Sequence, residues 1–582
     1  MRSRVVRLSL LGAFVVVLAL ALWTGWQAWR VNEDLNAAVD AASDLEAALE
    51  GSDQPAAEAA LDDLDEHTAA AHDRTEGVTF GALARLPVLG DDVTGVRVAT
   101  DVINDLTDEA LRPLVDEAAD LESFLPREGQ VPVDRLADLQ APVARAHVAF
   151  AEATTRLDGQ DSSSYAGPLR SKYRDLARRV RDAAGTLETA DTALQVMPDM
   201  LGRSGERNYL LVFQNNAEVR STGGLPGAVS VLNVNDGRLA LTRQVAASSL
   251  GNTEQPVLPL TEAEEQIYGP QLGIFFLDAN FTPDFPRTAD LMKARWEQEF
   301  DDQVDGVLAV DPIALSYLLA VTGPVQAGDV EITSDNAVDE LLHQVYMRNE
   351  NPADQDEYFK QVTRAVFDKV TSGVGDPQAI LRALGDAGDE NRLYVHSFAE
   401  EEQSVLAGTD VAGELVKEPT ERPQVGVYLN DTTASKMSYF LRTKVRVDST
   451  SCSGDAQVLD GLARLRSVAP ADAGETLPDY VTGGGATGLE PGTQLVAVRL
   501  YAPVEGEFER VTLNGEEILG DLDVVVHDGR PVASTFVFLG SQETIDLAWR
   551  MRGGPGQTGD VAVSVTPGIE PGDASSSANS SC

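Results

Sequence analysis

The sequence predicts an α+β multidomain chain. Its parts are an N-terminal transmembrane helix, a helical stalk, a mixed α/β domain and a C-terminal β-sandwich-like domain. Three observations carry this expectation. At 582 residues the chain exceeds what one hydrophobic core ordinarily serves. An uncharged stretch of bilayer-spanning length stands near its start. A seven-residue apolar period before residue 200 then gives way to short apolar runs punctuated by Gly, Pro and Asp.

Met1 to Arg7 (MRSRVVR) carries three arginines, and Leu8 to Trp29 is an uncharged run of 22 residues. That length crosses a hydrocarbon core of roughly 30 Å. Arginines before the run and acids after it place residues 1–7 in the cytoplasm, 8–29 in the membrane and the bulk outside. Trp23, Trp26 and Trp29 fall where an interfacial aromatic belt belongs. Ala19-Leu20-Ala21 imitates a signal cleavage site, but the apolar run continues past it, which favours a retained anchor.

Residues 30–197 have helical periodicity and predict a bundle or stalk. Val31, Leu35, Ala38, Ala42, Leu45 and Leu49 form a heptad seam suited to a coiled coil, and so to oligomer formation through stalk helices. Further seams run through Val96, Ala99, Ile103, Leu106 and Ala110, and through Leu169, Tyr173, Leu176, Val180 and Leu187. Breakers rich in Gly, Pro and Asp separate them. Arg170, Arg174, Arg178 and Arg181 share one helix face, as a phosphate contact or as salt-bridge donors to acidic neighbours.

Residues 198–372 mix strands and helices. Runs at Tyr209–Phe213 and Ala228–Val234 predict strands, and Asn235-Asp236-Gly237 predicts a hairpin turn into a third. GVLAV at 306–310 predicts a buried strand, after which Asp311-Pro312 opens a helix. Residues 373–422 predict a helical connector. Seven apolar runs over 423–567 predict a β domain, and the Ser-rich residues 568–582 a disordered tail.

A net charge of −48, from 93 acidic and 45 basic residues, argues against nucleic acid as a partner. Cys452 and Cys582 are the only cysteines. They could pair outside the membrane, although a terminal cysteine in a Ser/Asn tail does not suggest a structural staple. The six histidines lack ligand spacing, and neither GxSxG nor a P-loop pattern occurs.

Residues 209–228, YLLVFQNNAEVRSTGGLPGA, stand out. A strand ending in Asn215, Asn216, Glu218 and Arg220 delivers polar groups to a sheet edge, where Gly223, Gly224 and Gly227 permit close backbone approach. A hairpin with polar caps explains the same residues. Asp278, Asn280 and Asp284 (LDANFTPD) serve equally as oxygen ligands to a metal or sugar, or as turn and cap residues.

RNYLLVFQNNAEVRSTGGLPGA, NDGRL, LDANFTPDFPRTADLM and VDGVLAVDPIALSYLLAVTGPV resemble the domain of unknown function family numbered 4012. VGVYLNDTTASKMSYFL and LPDYVTGG resemble that family's C-terminal part. The resemblance implies a single-pass envelope protein of Gram-positive bacteria. In feature order, residues 198–372 also resemble the LytR–CpsA–Psr family, which transfers glycopolymers from a polyprenyl-pyrophosphate carrier. That resemblance implies a pyrophosphate clamp of Arg220, Arg243 and Arg348, with Mg²⁺ as cofactor. The chain departs from it at Asn215 and Gly223, where the family places metal-holding acids, and at Lys360-Gln361 in place of Arg-Gln.

Together these features imply an extracytoplasmic, membrane-anchored envelope protein that binds or scaffolds a glycan or lipid-linked sugar. A glycopolymer transferase with altered acidic residues is the alternative. The expected ligand contacts are Asn215, Asn216, Glu218, Arg220, Arg243 and Arg348, then Asp278, Asn280 and Asp284, with cell-wall glycan or polyprenyl pyrophosphate as the partner.

Overall fold

The computed structural model describes residues 2–50, 53–86, 89–118, 129–374, 377–572 and 575–582. The chain is a mixed α+β protein in two compact units, Met1–Leu125 with Pro132–Asp199, and Pro126–Val131 with Met200–Cys582. Among the described residues no helix is long and apolar enough to cross a membrane. Most of the expected span Leu8–Trp29, all of it before Trp23, falls on residues whose side chains lie outside that description.

The first unit is helical. Helix Arg2–Glu50 pairs with Gln54–Glu76, and Asp53 caps the second helix by accepting from Ala56 N at 3.2 Å. Their shared core takes Ala38, Ala41, Leu45 and Ala48 against Ala57, Ala60, Leu61 and Leu64. The buried seam is therefore Val31, Asp34, Ala38, Ala41, Leu45, Ala48. It keeps the heptad rhythm, but Ala42 is exposed and Leu35 and Leu49 are only partly buried. Asp34 takes the inward place expected for Leu35 and pairs with Arg74. A second core joins helices Gly90–Leu106, Val133–Asp158 and Gly167–Met200. The arginine face is spent within the protein. Arg181 reaches Asp158 on the preceding helix at 2.6 Å, Arg178 pairs with Asp175, and Arg170 donates to the Tyr165 carbonyl.

The second unit opens with a five-stranded sheet. Strands β1 (Arg207–Arg220), β2 (Gly223–Asn235) and β3 (Arg238–Ala246) form an antiparallel meander. Asp236 at φ 49° and Gly237 at φ 73° make the turn that a right-twisted two-residue hairpin requires. On the other side, β4 (Gly306–Val310) runs parallel to β1, and Leu393–Ser397 completes the sheet antiparallel to β4. The segment expected as a helical connector thus supplies an edge strand. Five residues of half-polar sequence (LYVHS) carry too little periodicity to announce it.

Two further sheets face each other across one core containing Val427, Leu429, Leu465, Val498, Leu547 and Trp549. Three of their strands escaped the sequence reading: Val524–His527, Thr544–Arg552 and Ser575–Ala578. The last lies in the expected disordered tail. It pairs with Val561–Val565, and Cys582 is joined to Cys452 in a disulfide. The sandwich is not independent of the sheet before it. Tyr428, Tyr501 and Val532 belong to the core under β1, β2 and β4, and Met437, Phe440 and Val481 to the core around helix Pro312–Thr322.

His343 shows how these parts pack. Its ring stacks on Tyr439 (centroids 4.6 Å, planes 7° apart) and meets the edge of Phe440. Burial holds the imidazole below its ordinary pKa, against the pull of Asp339. The unfolded chain therefore binds this proton first. The stability His343 contributes is whole above the unfolded value near 6.5 and is lost as pH falls through the lower folded value. His343→Phe preserves the stack and removes the titration. Its denaturation midpoint should fall less than the parent's between about pH 7 and pH 5; an unchanged pH dependence would show that the histidine is not held neutral.

Candidate functional site

Strand β1 continues well beyond Phe213, so Asn215, Asn216, Glu218 and Arg220 are strand residues rather than a loop at its mouth. The ladder explains their unusual placement. Asn215 pairs with Leu225 and Val219 with Gly224, leaving Asn216, Ala217 and Glu218 bulged out of register. Gly224 makes this possible: a Cβ there would lie 2.2 Å from the Asn215 carbonyl carbon. Gly227 faces no such constraint, its nearest neighbour being 3.9 Å away.

Beyond the bulge, β1 is held by the sandwich. Val219 N donates to Ser438 Oγ at 3.2 Å and Ser221 N to Asn430 Oδ1 at 3.1 Å. Arg220 is 4% exposed. It donates to Glu218 Oε1 at 2.9 Å, Asp278 Oδ1 at 3.1 Å and the Asp431 carbonyl at 3.0 Å, with its guanidinium over the Phe281 ring. The other Glu218 oxygen accepts from Lys436 Nζ at 2.6 Å. Burial works against the Glu218 charge, but Lys436 and Arg220 outweigh it and hold the carboxyl below its usual range. Burial likewise opposes the Lys436 charge, and Glu218 keeps that ammonium protonated. Asp278 and Asp431 lack the lysine, and burial pushes both carboxyls up.

Asn216 belongs to a second buried group. Its Nδ2 donates to Asp311 Oδ2 at 3.0 Å, and the same oxygen takes Arg392 at 2.9 Å. Asp311 Oδ1 caps helix Pro312–Thr322 through Ile313 N and Ala314 N. Arg392 is fully buried and also donates to the carbonyls of Gly568 and Glu570, tying the chain's end to this point. A third group joins Gln214, Thr222 and Asn280: Asn280 Nδ2 donates to Gln214 Oε1 at 3.1 Å, Thr222 Oγ1 at 2.9 Å and the Gly224 carbonyl at 2.9 Å.

These groups border a cavity of about 370 Å³. Phe213, Leu225, Leu315, Leu342, Phe359 and Val366 give it apolar walls, while Asn215, Glu218, Tyr346, Lys436 and Tyr480, in contact with one another, form a polar end, and Gln214 also lines it. Asn215 Nδ2 donates to the Tyr346 hydroxyl, whose pKa burial pushes up to about 12. Lys436 Nζ lies 5.7 Å from the Tyr346 ring centre and 5.8 Å from that of Tyr480.

The expected arginine clamp does not form. Arg220, Arg243 and Arg348 all lie outside the cavity lining. Arg220 is consumed by carboxylates. Arg243, on strand β3, pairs with Asp302 at 3.1 Å over the Phe300 ring. Arg348 pairs with Glu340 at 2.6 Å over the Tyr358 ring. LDANFTPD has the turn expected of it, with Asn280 in a turn and Asp284 at the N-cap position, but its side chains are used differently. Asp278 is the partner of Arg220, and Asn280 braces β1 against β2. Asp284 accepts from Leu415 N and Lys417 Nζ and makes no cap to the helix Phe285–Glu299 that follows. Among the described residues no group of three or more His, Cys, Asp or Glu side chains is arranged for a metal ion, so the Mg²⁺ expectation finds no donor set there.

Sequence reasoning missed Gln214, Asp311, Lys436 and Tyr480 as parts of one site. Lys436 had a signal, as the single charge in the stretch TTASKMSYF. No curated protein and no solved structure matches the chain. Residues 204–346, which carry β1 to β4 and reach Tyr346, match a family model described as a protein of unknown function (DUF4012).

Proposed function

We propose that the chain is a single-pass, membrane-anchored extracytoplasmic envelope protein that holds a lipid-linked sugar, acting as a scaffold rather than as a transferase. The observation that carries this reading is the cavity. Its volume falls within the roughly 300–1,000 Å³ of small-molecule sites. Apolar walls with polar groups gathered at one end suit a ligand with a hydrocarbon chain and a hydrogen-bonding head. The anchor is supported by the uncharged run Leu8–Trp29 between arginines and acids, and an oxidising location by the Cys452–Cys582 disulfide. In this reading cell-wall glycan is the partner reached by the sugar, and the N-terminal helices offer surfaces for self-association.

The transferase alternative has less behind it. It requires cations at a pyrophosphate and acids at a metal. Arg220 is committed to Glu218 and Asp278, Arg243 and Arg348 to carboxylates outside the cavity lining, and the sequence has Asn215 and Gly223 at the positions that the resemblance gives to acids.

Two measurements test the proposal. Protease added to intact protoplasts should digest the chain beyond Arg30; full protection would contradict the topology. Nile red bound to the purified full chain should be displaced by 1-decanol, and Val366→Trp, which fills the cavity from a partly buried wall position, should weaken the alcohol at least about tenfold. Equal affinity in parent and variant would place the chain site elsewhere.

A further inference from the structure

We infer that the polar end of this cavity selects an uncharged, hydroxyl-bearing head such as a sugar ring and rejects a phosphate or diphosphate. The inference rests on the proposal that the apolar walls take a hydrocarbon chain, and it specifies what that chain carries.

Charge comes first. The ionisable groups lining the cavity are Glu218, Asp311, Asp356 and Lys436, three carboxyls against one ammonium. Lys436 is already neutralised by Glu218 at 2.6 Å, and the nearby guanidiniums of Arg220 and Arg392 are bound to acids behind the wall. A phosphate entering here would find the one lining ammonium already paired and would face Asp356, whose charge is opposed only by Lys360 outside the lining. Anion sites need the opposite balance.

Hydrogen-bonding capacity comes second. Gln214 is 2% exposed; its Oε1 is taken by Thr222 and Asn280, and its Nε2 has no partner. That donor is closed off from the open cavity, so the hydrogen-bonding capacity offered to a ligand lies elsewhere. On helix Pro352–Thr371, the half-buried Asp356 carboxyl also lines the cavity, with the charge of Lys360 its one opposing influence against burial, which pushes its pKa up. This wall therefore offers a carboxyl acceptor. A hydroxyl can donate to it, whereas a deprotonated phosphate oxygen, an acceptor only, cannot. Tyr480 is 37% exposed at the same end, its ring centre 5.6 Å from that of Tyr346. It presents an aromatic face against which the C–H side of a sugar ring can lie.

The test titrates the full chain calorimetrically with probes sharing one alkyl chain: 1-octanol, n-octyl β-D-glucoside below its micelle concentration, and octyl diphosphate. The glucoside should bind about tenfold or more tighter than the alcohol, and the diphosphate weaker than either. Asp356→Ala and Tyr480→Ala, both at incompletely buried positions, should each weaken the glucoside about tenfold, the equivalent of one charge-assisted contact, and leave 1-octanol unchanged. A diphosphate that binds as tightly as the glucoside, or a glucoside no tighter than the alcohol, would overturn the head-group inference while leaving the chain site intact. Failure of 1-octanol itself to bind would remove the chain site and the inference together.

Discussion

The Glu218 carboxylate, shut away from water between Arg220 and Lys436, is the interaction on which the second unit depends. Taking a carboxylate and two cations out of water costs several kcal/mol per ion, and their mutual attraction offsets that only if all of them stay together. Each partner comes from a different part of the chain. Glu218 and Arg220 end strand β1, Asp278 leads toward helix Phe285–Glu299, and Lys436 follows the sandwich strand Gln424–Asp431. The cluster therefore fixes the α/β sheet to the sandwich. Sandwich residues accordingly also enter the cores of the α/β part.

The same cluster determines what the neighbouring cavity can hold. Arg220, which the sequence presents as a ligand contact, is used internally. Lys436 shows its ammonium to two tyrosine rings but is already paired. A chain of net charge −48 gathers cations inside this unit to neutralise its own buried acids, and few are left for an anionic ligand. The arrangement at Asp311 repeats the pattern, with Arg392 matching an acid that also caps a helix.

Much of the local structure was legible. The β1–β2–β3 meander followed from apolar runs and an Asp-Gly turn, and the start of helix Pro312–Thr322 from Asp311-Pro312. What could not be read depends on distant pairing. Nothing near Glu218 announces a lysine 218 residues later, and alternate positions of the heptad seam moved by one, with Asp34 facing Arg74 on the next helix where Leu35 was expected. Thr544–Arg552 was readable in principle, since Ile545, Leu547, Trp549 and Met551 alternate with exposed or half-buried partners. The Ser-rich tail misled because composition says nothing of a disulfide between its last residue and Cys452.

The most direct test of this account is a double-mutant cycle on Glu218 and Lys436, read by urea unfolding of the full chain. Lys436→Met strands a buried carboxylate with one cation, and Glu218→Gln strands the ammonium. Each should cost about 3–5 kcal/mol. The double variant should cost far less than their sum, because it leaves no orphaned charge at that contact. Single costs that add to within about 0.5 kcal/mol would mean that the two side chains do not act as a pair, and the account of how this unit is held together would fail.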